Sequence, residues 1–125
     1  MDNKSVNKTE LSDEQIAQVS GGVGSADDAA YCANLFGRML NDLETHPSSA
    51  LNNPENKSTL VKYLNHIIDY LEEGDYSGAK TYAAGVAQIA DSCRNMKMDG
   101  LAFDWCDALS LEIFPMMGWE HSGAF

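Results

Sequence analysis

The stretch STLVKYLNHIIDYL, residues 58–71, decides the fold of this chain of 125 residues. Its apolar side chains recur at steps of three and four residues, which places them on one face of an α-helix. They are Leu60, Val61, Leu64, Ile67, Ile68 and Leu71. No segment of the chain alternates between apolar and polar residues in the way a half-buried strand would. An all-α fold is therefore expected.

A helix of the same kind is predicted before this stretch. Its apolar face consists of Cys32, Leu35, Phe36, Met39, Leu40 and Leu43. Ser25 is a plausible N-cap, followed by two aspartates in the first turn, where the helix dipole favours acids. The helix should end near His46, because a residue that precedes proline avoids the helical region. Residues 48–57 are interpreted as a loop, and Ser58 as the start of the second helix.

Two further helices are predicted after the second one. A turn at residues 72–78 leads to a third helix, whose apolar face carries Tyr82, Val86, Ile89, Ala90 and Cys93. A break at residues 98–100 precedes a fourth helix, expected at about 101–113 from the spacing of Leu101, Trp105, Leu109 and Ile113. The tail that follows Ile113 shows no periodicity. Four amphipathic helices with short connections predict an up-and-down-like four-helix bundle.

The N-terminal part of the chain has a different character. Residues 1–10 are polar and without periodicity, and we interpret them as disordered. Residues 11–19 place Leu11, Ile16 and Val19 on one face of a short helix, which Gly21 and Gly22 end. A helix this short is not stable alone in water, where about 12–15 residues are marginal. It should therefore become ordered only against a partner.

The charge of the chain argues against several classes of function. Eight basic residues against nineteen acidic ones give a net charge of −11, and the basic residues form no cluster. Nucleic acid is not an expected partner, since the contacts that neutralise phosphates have no source. No run of apolar residues is long enough for a transmembrane helix, and the first 22 residues contain no apolar core of a secretory signal peptide.

Neither the cysteines nor the histidines form a recognisable catalytic or metal-binding motif. Cys32, Cys93 and Cys106 contain no CxxC pair. Cys93 and Cys106 are the candidate disulfide pair in an oxidising compartment, while in a reducing one all three thiols could be buried in the core. His66 and Asp69 lie one turn apart, but without further ligands they are interpreted as part of a solvated face. No enzyme activity, metal or cofactor is expected.

The C-terminal segment WCDALSLEIFPMMGW, residues 105–119, is rich in aromatic residues and methionine. One interpretation is an exposed apolar patch that docks on a receptor or a membrane protein. The interpretation that we favour is that these side chains complete the core.

The segment LSDEQIAQVSGG, residues 11–22, resembles the double-glycine leader of class II bacteriocins, microcins and related exported peptides, whose pattern is LSxxELxxIxGG. The matching positions are Leu11, Ser12, Ile16, Val19, Gly21 and Gly22, with valine in place of isoleucine at position 19. Gln15 replaces the usual glutamate. The resemblance covers residues 1–22 and implies a leader at 1–22 followed by a mature helical domain at 23–125.

The resemblance implies an export route and a partner. Such leaders are bound by an ABC transporter that carries a papain-like cysteine peptidase, which cuts after the second glycine. The expected cut lies between Gly22 and Val23, where glycines leave a narrow cleft unobstructed. Leu11, Ser12, Ile16 and Val19 would be the recognition residues, with the three apolar ones as anchors of an induced helix.

The function implied is that of a secreted bacteriocin- or microcin-like protein of bacteria, which acts on other bacteria through a protein receptor. An immunity protein would then be a further candidate partner. The alternative is an exported, non-toxic binding or signalling protein that shares only the export route. The precursor of a modified peptide is disfavoured by the regular periodicity after Gly22, and a cytoplasmic immunity bundle by the leader.

Overall fold

The computed structural model describes residues 24–119, and these form an all-α bundle. Helix α1 comprises Ala26–Thr45, α2 comprises Pro54–Glu73 and α3 comprises Tyr76–Lys97. Helix α4 consists of three consecutive segments, Gly100–Asp107, Ala108–Ile113 and Phe114–Met117. A single 3₁₀ turn, Ala50–Asn52, lies in the connection between α1 and α2. Within residues 24–119 there is no strand, so the predicted fold class is confirmed.

Helices α1 and α4 close the bundle by pairing in opposite directions. Three hydrogen bonds mark their register, from Gly24 N to Met116 O at 3.0 Å, from Tyr31 Oη to Glu112 Oε1 at 3.1 Å, and from Trp105 Nε1 to Asp42 Oδ2 at 3.1 Å. As the residue number rises along α1, that of its partner on α4 falls. Together with the short α1–α2, α2–α3 and α3–α4 connections, this gives the up-and-down order.

The apolar faces recognised in the sequence form a single core. Phe36, Leu43, Leu64, Ile67 and Val86 are completely buried. Helix α3 contributes mostly small side chains to this core, namely Ala79, Ala83, Ala87 and Ala90. Because alanine lets helix axes approach closely, α2 and α4 can pack near α3 and bury their larger side chains against it.

The first helix begins and ends where the sequence predicts, whereas the second begins earlier. Ser25 caps α1 through a reciprocal capping box with Asp28, and His46 is the C-cap. Helix α2 begins at Pro54 rather than at Ser58, because Asn53 is its N-cap and accepts a hydrogen bond from Asn56 N. Proline is favourable in a first helical turn, where its missing N–H is not needed. The prediction of a loop through residue 57 was therefore wrong.

The turn between α2 and α3 is shorter than the predicted 72–78. Gly74 ends α2 in the left-handed conformation, with φ +83°, and Asp75 N donates to Tyr70 O at 2.9 Å. Asp75 then caps α3 by accepting from Gly78 N at 2.9 Å. Gly74 and Asp75 thus end α2 with a Schellman motif, and Asp75 is at the same time the N-cap of α3.

Helix α4 continues past Ile113, although the sequence showed no periodicity there. Pro115 has no N–H to donate, and just before it the helix widens to π geometry over Ala108–Ile113, with Phe114 N bonded to Leu109 O. This widening disturbs the three- and four-residue spacing. Gly118, with φ +70°, ends the helix, and Trp119 N donates to Phe114 O at 2.8 Å.

The carboxylate of Asp99 joins the two connections at one end of the bundle. It caps α4 by accepting from Leu101 N at 3.0 Å and Ala102 N at 3.2 Å. It also accepts from Ser49 Oγ at 3.0 Å and from Ala50 N, both in the α1–α2 connection. Burial raises the pKa of Asp99, but these hydrogen bonds outweigh burial and hold the pKa below its ordinary value of 3.8.

We expect the substitution Asp99→Ala to lower the free energy of unfolding by about 2 kcal/mol at neutral pH, because it removes a helix cap and a link between two loops. Since the folded-state pKa is lowered, this contribution is present above the ordinary pKa and is lost as the pH falls through the folded one. The difference between the parent chain and the variant should therefore shrink between neutral pH and about pH 3. Urea unfolding at both pH values measures it.

The matched control is Asp104→Ala, which removes the same charge from an exposed position on α4. Its effect should stay within about 0.5 kcal/mol. The assigned role would be contradicted if both substitutions lowered the free energy of unfolding equally. It would also be contradicted if the effect of Asp99→Ala were the same at both pH values.

Candidate functional site

The residues of the predicted leader lie outside the described part of the chain. This holds for Leu11, Ser12, Ile16 and Val19, and for Gly21, Gly22 and Val23 at the expected cut. The described residues begin at Gly24, two residues after the expected cut.

Gly24 is held directly against the end of α4. Its N–H donates to Met116 O at 3.0 Å, and its φ of +72° lies in the left-handed region that favours glycine. A Cβ at this position would lie 3.4 Å from Met117 O. The next residue, Ser25, accepts from Asp28 N at 3.1 Å as the cap of α1. The chain is therefore fixed to the domain from the second residue after the expected cut.

The aromatic and methionine side chains near the C-terminus complete the core around this anchor. Trp105 is 2% exposed and Phe114 1%, and Trp119 packs edge-on against Phe114 with 5.6 Å between ring centroids. Met116 is half-buried. The core interpretation of this segment is confirmed, and the alternative of an exposed patch is wrong for residues 105, 114, 117 and 119.

The three cysteines are buried, free thiols. Burial raises the pKa of Cys32 and of Cys106 to about 11 and also raises that of Cys93. Cys32 Sγ lies 3.9 Å from Met116 Sδ, and Cys93 Sγ accepts a weak hydrogen bond from Asn56 Nδ2 at 3.7 Å. A raised pKa disfavours the thiolate, so this environment is the opposite of one that activates a cysteine nucleophile. Cys93 and Cys106, the candidate disulfide pair, are not joined in the structure.

A group of four aromatic rings lies along the outer side of the α2–α3 contact. We call it the tyrosine seam and define it as Tyr63, His66, Tyr70 and Tyr82. The Tyr82 ring stacks on His66 at 5.0 Å and on Tyr70 at 5.9 Å, and it meets Tyr63 at 5.2 Å with a 60° tilt. All four side chains are half-buried. His66, interpreted from the sequence as part of a solvated face, therefore belongs to an aromatic cluster.

Two glycines of α3 make room for the seam. A Cβ on Gly85 would lie 2.7 Å from the Tyr63 ring, and one on Gly78 would lie 3.1 Å from the Tyr70 ring. The rings thus rest directly on the backbone of α3. The spacing of residues 63, 66 and 70 on one helix and of residues 78, 82 and 85 on the next was a signal that the sequence analysis missed.

The seam presents half-buried rings that carry polar groups at their edges. In residues 24–119 no hydrogen bond is made by the hydroxyls of Tyr63, Tyr70 and Tyr82 or by the ring nitrogens of His66. Tyrosine supplies a large contact area at a small cost in conformational entropy, and it is enriched at protein interfaces. Such features are typical of surfaces that bind another molecule.

The described residues contain no group of three or more His, Cys, Asp or Glu side chains that could hold a metal ion. Glu72 and Glu73 line an open groove together with Ala26, Ala30 and Ala33 of α1. None of the helices in residues 24–119 is long and apolar enough to cross a membrane.

The comparisons with known proteins return no match: no family model fits the chain, and no curated protein and no solved structure is significantly similar to it.

The seam can be tested by adding a methyl group at two glycines. Gly37→Ala should raise the free energy of unfolding by up to about 1 kcal/mol, because its Cβ would meet no atom within 4 Å and alanine favours a helix. The free energy of unfolding of the Gly85→Ala variant should be at least about 1 kcal/mol lower than that of the Gly37→Ala variant, since the Tyr63 ring must move to make room for the new Cβ. Thermal unfolding of both variants and the NMR ring signals of Tyr63 and Tyr82 provide the readout. Equal stabilisation with unchanged ring signals would show that the rings do not rest on Gly85.

Proposed function

We propose that this chain is the precursor of an exported protein, whose leader is removed between Gly22 and Val23 by the cysteine peptidase of an ABC transporter. The observation that carries the proposal is the segment LSDEQIAQVSGG at residues 11–22. The peptidase hydrolyses one peptide bond. Its thiolate attacks the carbonyl carbon of Gly22, the amine of Val23 leaves, and water releases Gly22 as a carboxylate.

The position of the anchor supports this division of the chain. A cut after Gly22 leaves intact every hydrogen bond described for residues 24–119, including the bond from Gly24 to Met116 and the Ser25 cap. The leader can therefore be removed without loss of any part of the bundle.

The proposed role of the released domain is that of a bacteriocin- or microcin-like protein that acts on other bacteria through a protein receptor. The tyrosine seam supports a binding role, because aromatic anchors contribute much of the affinity at protein interfaces. Residues 23–125 contain fifteen acidic and six basic residues, a net charge of −9, which favours a receptor that carries basic residues.

Export is tested by intact mass spectrometry of culture supernatant from a strain that expresses the chain together with its transporter. A secreted species that begins at Val23 is expected. The double variant Gly21→Ala/Gly22→Ala should abolish it, because side chains at these positions would obstruct the narrow cleft. If only the complete chain is found, and only inside cells, the proposed leader is wrong.

Receptor binding through the seam is tested with the secreted domain, labelled at the amine of Val23, on target bacteria. Tyr82→Leu should weaken binding by about tenfold or more, since it removes the central ring of the seam. The control is Tyr31→Leu, a tyrosine on α1 with 47% exposure that takes no part in the seam. Equal binding by both folded variants would rule out the seam as the receptor contact. Binding without growth inhibition would favour the non-toxic alternative.

A further inference from the structure

The anchor at Gly24 depends on the last helix of the bundle. Its partner is Met116 O, close to the C-terminal end of α4, and Trp119 and Phe114 pack at that same end. The N-terminal boundary of the domain is thus completed only when the C-terminal end of α4 is in place. Until then, nothing described in the structure holds Gly24 against the domain.

The expected cut lies very close to this anchor. Only Val23 separates Gly22 from Gly24, and an extended chain spans about 3.5 Å per residue, so the scissile bond lies within about 7 Å of the anchored amide. A single helix with its side chains is about 10 Å wide. A cleft that encloses an extended chain on both sides of the scissile bond must therefore come within about one helix width of the anchored Gly24.

We propose that folding of the bundle blocks removal of the leader, so that the cut must occur before the end of α4 docks against Gly24. This inference rests on the proposed function and concerns the regulation of the same cleavage site. The reaction is unchanged, since water is added across the Gly22–Val23 bond and the peptidase thiol is regenerated. What the fold controls is whether the residues after the bond can enter the cleft.

The anchor limits cleavage because it must open before the peptidase can close around the chain. Opening breaks the hydrogen bond from Gly24 to Met116 and disturbs the Ser25–Asp28 capping box. These interactions together reduce the open population by about tenfold or more. Folded precursor should be cleaved more slowly by that factor than a chain without the constraint.

The test compares four full-length chains with the purified peptidase domain of a double-glycine transporter. The first is the parent. The second carries a Gly-Ser-Gly-Ser spacer between Val23 and Gly24, which moves the cut away from the folded domain. The third is the matched control, with the same four residues added after Phe125. The fourth is Leu64→Asp, which places an unpaired carboxylate in the fully buried core and unfolds the bundle.

We expect the spacer after Val23 and the Leu64→Asp substitution each to raise the cleavage rate by about tenfold or more, while the four residues added after Phe125 leave it at the parent value. Equal rates for all four chains would overturn the inference and leave the leader in place. Failure of the peptidase to cut even the unfolded Leu64→Asp chain would instead overturn the proposed leader itself. Circular dichroism of each chain establishes which of them are folded.

Discussion

The carboxylate of Asp99 is the interaction on which the arrangement of the bundle depends most. It satisfies N–H groups at the start of α4 and in the α1–α2 connection at the same time. Both connections lie at one end of the bundle, so a single side chain fixes how two successive helical pairs are placed relative to each other. The remainder of the packing, a continuous apolar core, is tolerant of small shifts, whereas this hydrogen-bonded junction is not.

Met98, the residue before Asp99, has an unfavourable backbone conformation. It adopts φ +54°, in the left-handed region where glycine is usual at the end of a helix. A side chain there costs about 1 kcal/mol or more, and Met98 is 72% exposed, so burial of the side chain does not offset the cost. The hydrogen bonds that Asp99 makes immediately afterwards hold the chain in this conformation. A strained residue is thus retained because its neighbour joins two connections.

The helical core was predictable from the sequence because the apolar spacing and the caps that specify each helix lie within or next to that helix. The faces through Leu64, Val86 and Phe36 recur with helical spacing, and helix caps such as Ser25 are readable residue by residue. The errors in helix bounds arose at two of the three prolines and at the α2–α3 turn, which is shorter than predicted. Pro54 begins a helix and Pro115 lies within one, and the sequence alone does not show that a π segment accommodates Pro115.

The tyrosine seam was missed for a different reason. It depends on the register between α2 and α3, which places Gly85 beneath the Tyr63 ring. The candidate leader, in contrast, was found from a contiguous pattern that needs no tertiary information.

The topology also ranks the helix contacts by the length of the loop that each of them closes. Helices α2 and α3 are joined by two residues, so their contact, including the seam, closes a short loop at a small cost in entropy. The pairing of α1 with α4 brings together the two ends of the described chain and therefore closes the longest loop. Its hydrogen bonds, at Gly24, Tyr31 and Trp105, depend on α4 being complete. The α2–α3 hairpin can thus exist while the N-terminus is still free. In this bundle the amide of Gly24 stays accessible until α4 is in place, because its hydrogen-bond acceptor lies on α4, the last helix of the described residues.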